Sequence, residues 1–199
     1  MAHLIFYDDG HVYEVDGERL PSVSEILRFL SREEYGDISQ YTLDNAGERG
    51  KAVHKATENI DRYGNAEIDD QYLGYIQAYV RFRKEHEVEW RDIEKSMYHP
   101  QKKYAGTIDR FGLVDGTSAL VDIKTNATIK KTLTKAQLNG YEDMRVANGE
   151  PQADAMYCLQ LMKDGKYRMY PCERDASEFE ACYTLHTRMA QQQERGKII

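Results

Sequence analysis

Cysteine and proline are scarce: three and four positions in 199 residues. Three thiols cannot all pair, so no disulfide framework is available. Cys158, Cys172 and Cys182 read as small hydrophobes or free thiols of a reducing compartment, which predicts a cytoplasmic location. Long apolar runs are missing too. The longest, Ala155 to Leu159, is five residues, where a membrane span needs about 18 to 20, so no membrane association is expected. Met1 to Gly10 has neither a basic start nor an apolar signal core, and no export signal is expected there. With 14 glycines, 41% hydrophobic and 31% charged residues, the composition excludes collagen-like, low-complexity and disordered classes. A chain of this length can bury a core without staples, and one domain over residues 1–199 is the expectation.

Positive charge is also in deficit, with 27 Lys and Arg against 34 Asp and Glu, a net charge of -7. That balance ordinarily argues against a polyanionic partner, because counterion release requires Lys and Arg to meet phosphates. The distribution reverses the argument. From Lys95 to Lys135 there are eight basic residues and three acids, so a polyanion could be held locally while the remaining surface stays acidic and soluble.

No internal repeat or linker interrupts the chain. Leu4 to Tyr7 and His11 to Val15 around Asp8-Asp9-Gly10 read as a hairpin, and Asp16-Gly17 turns the chain again. Ser22 and Glu25 have capping-box spacing ahead of Ile26, Leu27, Phe29 and Leu30, predicting a helix start. Helices are expected near 43–62 and 69–86, the second with Tyr72, Tyr75, Ile76, Tyr79 and Val80 on one face. Strands follow near 92–98, 104–114 and 118–124, then a helix near 132–148, strands near 153–162 and 166–170, and a helix near 176–194. The expected class is α/β: a central mixed sheet containing an antiparallel meander, flanked by helices.

Asp115-Gly116 between hydrophobic runs is a strong signal for a two-residue type I′ hairpin. Pairing Val114 with Thr117 sets Asp109 opposite Asp122. Their Cβ atoms would then lie ~4.5–5.5 Å apart, unfavourable for two carboxylates unless a positive group, such as a divalent cation, sits between them. The period-2 pattern puts Lys124 on the face of Asp122, while Val121, Ile123, Ile108 and Val114 form an apolar opposite face. His54, on the helix containing Arg49 to His54, supplies an imidazole that would complete a His, Asp, Asp ligand set. Gln137 and Tyr141, four apart on the following helix, offer an amide and a phenol to phosphate oxygens or a base edge.

These residues resemble the RecB-like branch of the PD-(D/E)XK nucleases, particularly its small phage-type and mitochondrial-maintenance exonucleases. The resemblance rests on a helical Gly-x-x-x-His (Gly50, His54), Gly-x-x-Asp (Gly106, Asp109), Asp-x-Lys (Asp122, Lys124) and Gln-x-x-x-Tyr (Gln137, Tyr141), in that order. The entry segment His11-Val12-Tyr13 through Gly17 to Leu20-Pro21-Ser22-Val23 resembles the same members, so the likeness spans about residues 11 to 170. It implies a restriction-endonuclease-like fold and a metal-dependent DNA nuclease, with exonuclease action favoured. His54, Asp109, Asp122 and the Ile123 carbonyl would hold Mg²⁺ or Mn²⁺, and Asp109, Asp122 and Lys124 would form the catalytic set. Lys124 would orient or activate the attacking water, and Gln137 and Tyr141 would bind substrate. Glu94 stands where many members carry a further acid that supports a second ion. Some relatives hold an iron-sulfur cluster on four cysteines; with three late cysteines, none is expected here. The alternative is a catalytically silent nucleic-acid-binding or phage-assembly module on the same fold.

Overall fold

The computed structural model describes residues 3–7, 9–36 and 38–196, without the side chains of residues 194 and 196. It begins with a small antiparallel sheet of β1 (Leu4–Tyr7), β2 (Val12–Val15) and β3 (Glu18–Leu20). The hairpin is where the sequence put it, although Asp8 of its turn lies outside the described residues; β3 is an addition. Ser22 forms the expected capping box, its hydroxyl accepting from Glu25 N and the Glu25 carboxylate accepting from Ser22 N. The helix it starts is broken at Leu27 into α1 (Val23–Ile26) and α2 (Arg28–Tyr35). α3 (Gln40–Tyr63) is capped by the Ser39 hydroxyl and closed by Gly64 at φ 81°. A 3₁₀ turn at 70–72 leads into α4 (Leu73–Glu85).

The main sheet runs β4-β5-β6-β7-β8. β4 (Val88–His99), β5 (Tyr104–Val114) and β6 (Thr117–Lys124) form the antiparallel meander. α5 (Lys131–Ala147) then crosses over to β7 (Ala155–Leu161), parallel to β6, and β8 (Tyr167–Pro171) pairs antiparallel beyond it. α6 (Ser177–Gly196) follows. One face of the sheet packs Val114, Val121, Ile123 and Leu159 against Val53, Ala56, Tyr79 and Phe82 of α3 and α4. The other packs Phe111, Leu120 and Met156 against Val23, Leu138, Met144 and Phe179 of α1, α5 and α6. This is the expected mixed sheet with an antiparallel meander, covered by helices on both faces. Among the described residues no helix is long and apolar enough to cross a membrane.

Asp115 and Gly116, at φ 50° and 76°, make the type I′ turn, and the ladder pairs Val114 with Thr117 through to Arg110 with Val121. The register is therefore the one the turn dictates. The ladder stops one pair short of Asp109 and Asp122, however: β5 continues along β4 while β6 continues along β7, so the two strands part at the aspartates. The expected apolar face also needs correction. Ile108 belongs with Phe111 and Leu120, not with Val114, Val121 and Ile123, and Arg110 occupies the α3 side instead. The alternation breaks beside Glu94, which has φ 45° inside β4 and lies between the Ile93–Arg110 and Lys95–Ile108 pairs.

Candidate active site

The eight candidate site residues reach one cavity. His54, Glu94, Asp109, Asp122, Ile123, Lys124, Gln137 and Tyr141 all line a cavity of about 940 Å³ where β5 and β6 part. α3 delivers His54 because Val53, Ala56 and Thr57 around it are buried against the sheet. The His54 ring spans the opening: Nε2 is 3.0 Å from the Ile123 carbonyl oxygen, and Nδ1 is 3.3 Å from Glu94 Oε1 and 3.5 Å from Asp109 Oδ1. Asp109 Oδ2 accepts the Ile123 N–H at 2.6 Å, replacing the ladder bond lost where the strands separate. Asp122 is buried, with Lys124 Nζ 2.7 Å from its Oδ2. That contact lacks hydrogen-bond alignment, and neither Asp122 oxygen has a hydrogen-bond partner.

Burial raises the Asp109 pKa against the pull of the His54 charge. Burial, reinforced by the charge of Asp109, pushes Asp122 up to about 6 although Lys124 opposes it. Burial would lower His54, but the carboxylates of Asp109 and Glu94 prevail and raise it to about 9. Burial likewise works against the Lys124 charge, yet Asp122 and Asp109 lift its pKa above the ordinary lysine value. Lys124 is thus held as an ammonium, equipped to donate and not to accept a proton.

Gln137 and Tyr141 hold this ammonium. Lys124 Nζ donates to Gln137 Oε1 at 3.0 Å, and Gln137 Nε2 donates to the Tyr141 oxygen at 2.9 Å. Gly106 explains how Tyr141 comes so close: a Cβ there would stand 2.8 Å from Tyr141 Cε1 and 3.3 Å from Val23 Cγ2. Gly106→Ala is therefore expected to destabilise the protein by about 1–3 kcal/mol through overpacking, measured as a lower urea midpoint at unchanged slope. Gly50 has no such packing reason, since nothing lies within 4 Å of a Cβ built there.

The donor chemistry suits a hard divalent cation, which takes carboxylate and carbonyl oxygens with an imidazole. His54, Glu94 and Asp109 each bring one ligand atom within 4.8 Å of the others. Asp122 is outside that group; Lys124 is ion-paired with its Oδ2, and its buried oxygens, which have no aligned hydrogen bond, retain capacity to accept a further cation or water. Glu94, a subsidiary acid in the sequence, is thus central in the fold.

Arg110 is the residue the sequence reading passed over. Completely buried, it donates from Nε to Asp61 Oδ2 at 2.7 Å, from Nη1 to Glu94 Oε1 at 2.8 Å and to the Asp109 carbonyl at 2.7 Å, and from Nη2 to Thr57 Oγ1 at 3.1 Å. It ties α3, β4 and β5 together around the carboxylates. The signal was available: its register partner is Val121, so a charge stands on a strand face that is otherwise apolar.

No family model and no curated protein matches the chain. Among solved structures it is similar to an alkaline exonuclease, LHK-Exo from Laribacter hongkongensis, at 14% identity over 89% of this chain and 94% of that one, with a TM-score of 0.44. It is also similar to LHK-Exo in complex with dAMP, at 15% identity over 90% and 95% of the two chains, again with a TM-score of 0.44.

Proposed function

We propose that the chain is a metal-dependent deoxyribonuclease that hydrolyses phosphodiester bonds, with exonuclease action the form its motif resemblance favours. The observation that carries this reading is convergence. Residues from α3, β4, β5, β6 and α5, distant in sequence, place an imidazole, three carboxylates, a backbone carbonyl and a charged lysine around one cavity. His54, Asp109, Asp122 and the Ile123 carbonyl, with Glu94 beside them, would hold Mg²⁺ or Mn²⁺. When bound, such an ion neutralises charge on the phosphate and lowers the pKa of water.

The chain's own groups supply the rest. The Lys124 ammonium donates to the attacking water or to the phosphate oxygen that gains charge, a stabilisation that depends on the donor being fixed beforehand. Gln137 and Tyr141 fix it. In this reading they serve substrate chiefly through Lys124, since their polar groups are engaged with each other and with the ammonium.

End-labelled single- and double-stranded DNA incubated with Mg²⁺, Mn²⁺ or EDTA tests the proposal. Loss of label with either ion and none in EDTA is expected, and product ladders from each end give polarity. DNA binding with no cleavage under any ion would favour the silent binding module instead.

A further inference from the structure

The cavity lining combines two chemically different sets of side chains. One is the carboxylates, His54 and Lys124; the other is Phe6 and His11 of the N-terminal hairpin. Phe6 stacks on Tyr13, with ring centroids 4.8 Å apart and planes at 29°, and meets His11 edge-on at 5.0 Å and 82°. Tyr13 is completely buried. Its hydroxyl lies 3.1 Å from His11 Nε2 and 2.9 Å from Thr107 Oγ1, and Thr107 Oγ1 is 2.8 Å from Ser96 Oγ.

Thr107 and Ser96 each stand two residues from a site carboxylate, Asp109 on β5 and Glu94 on β4. The aromatic pair is therefore tied to the strands that carry the carboxylates by a hydrogen-bond chain between sheets. His11 holds φ 53°, a left-handed value that a non-glycine residue keeps only where its surroundings over-determine it.

A nucleotide divides in the same sense, into a charged phosphate and a flat apolar base. Aromatic side chains beside a charged groove are the usual platform for unpaired bases, because every base has a π-face. We propose that Phe6, braced by His11 and Tyr13, stacks against the base adjoining the phosphate that meets Lys124. The preferred substrate is then a DNA strand whose base at that position is unpaired: a single strand or a frayed end. This inference rests on the nuclease reading and specifies its substrate.

The test measures binding in EDTA and cleavage separately. Wild-type, Phe6→Ala and Phe6→Tyr proteins are titrated with labelled single-stranded oligonucleotides whose terminal nucleotide is normal, abasic or 2-aminopurine. Phe6→Ala is expected to bind the normal strand roughly tenfold more weakly, while Phe6→Tyr keeps the affinity. The abasic strand should bind wild type roughly tenfold more weakly than the normal strand and Phe6→Ala no more weakly, and 2-aminopurine emission should be quenched on wild type. Equal abasic penalties in wild type and Phe6→Ala would overturn the inference. Should Phe6→Ala fail to fold, wild type alone decides: an absent abasic penalty and unquenched 2-aminopurine reject the stacking wall. A wild-type protein that cleaves with Mg²⁺ or Mn²⁺ but shows neither effect loses this inference and keeps the nuclease reading. One that neither binds nor cleaves loses both.

Discussion

Arg110→Met is expected to destabilise the protein by about 3–5 kcal/mol, because it removes one partner from buried ion pairs and leaves the others uncompensated. The Asp61 side chain is completely buried and retains Arg83 and the Tyr79 hydroxyl. Glu94 loses the guanidinium and keeps His54 as its hydrogen-bond partner, with the Asp109 carboxylate in the same tight group. Thr57 Oγ1 and the Asp109 carbonyl lose a donor as well. Arg110→Lys should recover part of the loss and no more, since one ammonium cannot span four acceptors that a guanidinium fork reaches together. Urea unfolding followed by circular dichroism measures both. A loss under about 1 kcal/mol for Arg110→Met would mean that α3 and β5 are held by apolar packing alone.

Arg110 also shows where sequence reading stops. Hairpin geometry is local, so Asp115-Gly116 sufficed to set the β5–β6 register correctly to Arg110–Val121. What ended the ladder there was not local. Glu94, with its positive φ, sits in a different strand, and no pattern within β5 announces that alternation will break and turn Ile108 to the α5 side. The ligand candidates were legible because each is a charged or polar type set in an apolar or helical pattern. Their relative distances were not, and Glu94 joined His54 and Asp109 in the tight group only through the fold.

Charge in sequence was a poorer guide than charge in space. Of the eight basic residues between Lys95 and Lys135, six are ion-paired. Lys102, Lys130 and Lys135 meet acids from other segments, Lys95 meets Asp92 of its own strand and Glu150, Arg110 meets Asp61 and Glu94, and Lys124 meets Asp122. The local surplus is largely spent on ion pairs within the fold, so fewer lysines are free to meet a polyanion than the count implied. Lys51, Lys55 and Lys124 line the main cavity. The helix face of Tyr75, Ile76 and Tyr79, by contrast, became core as periodicity required, because apolar burial depends on pattern more than on partner.

Lys124→Ala and Asp122→Asn should fail in opposite ways. Lys124→Ala leaves every proposed ligand in place but removes the ammonium aimed at the reacting groups, so cleavage should fall ~10²–10⁴-fold while divalent affinity survives. It also strips the buried Asp122 of its ion-pair partner, so the metal-free protein should be less stable. Asp122→Asn removes a carboxylate whose oxygens have no hydrogen-bond partner, so calorimetry should find weaker Mn²⁺ binding, with excess ion restoring part of the activity. The sign of its stability effect follows from burial. Asp122 ionises at about 6 in the folded protein against an ordinary 3.8, so in wild type this group favours unfolding progressively as pH rises from 3.8 through 6. Without added metal, Asp122→Asn should therefore be the more stable protein at pH 8, and its advantage should shrink as pH falls below 6 and vanish near 4. Unfolding curves at the two pH values in EDTA, set beside Mn²⁺ titrations, measure both effects. Unchanged Mn²⁺ affinity in Asp122→Asn would remove it from the ligand set. Wild-type cleavage by Lys124→Ala would remove the lysine from the chemistry.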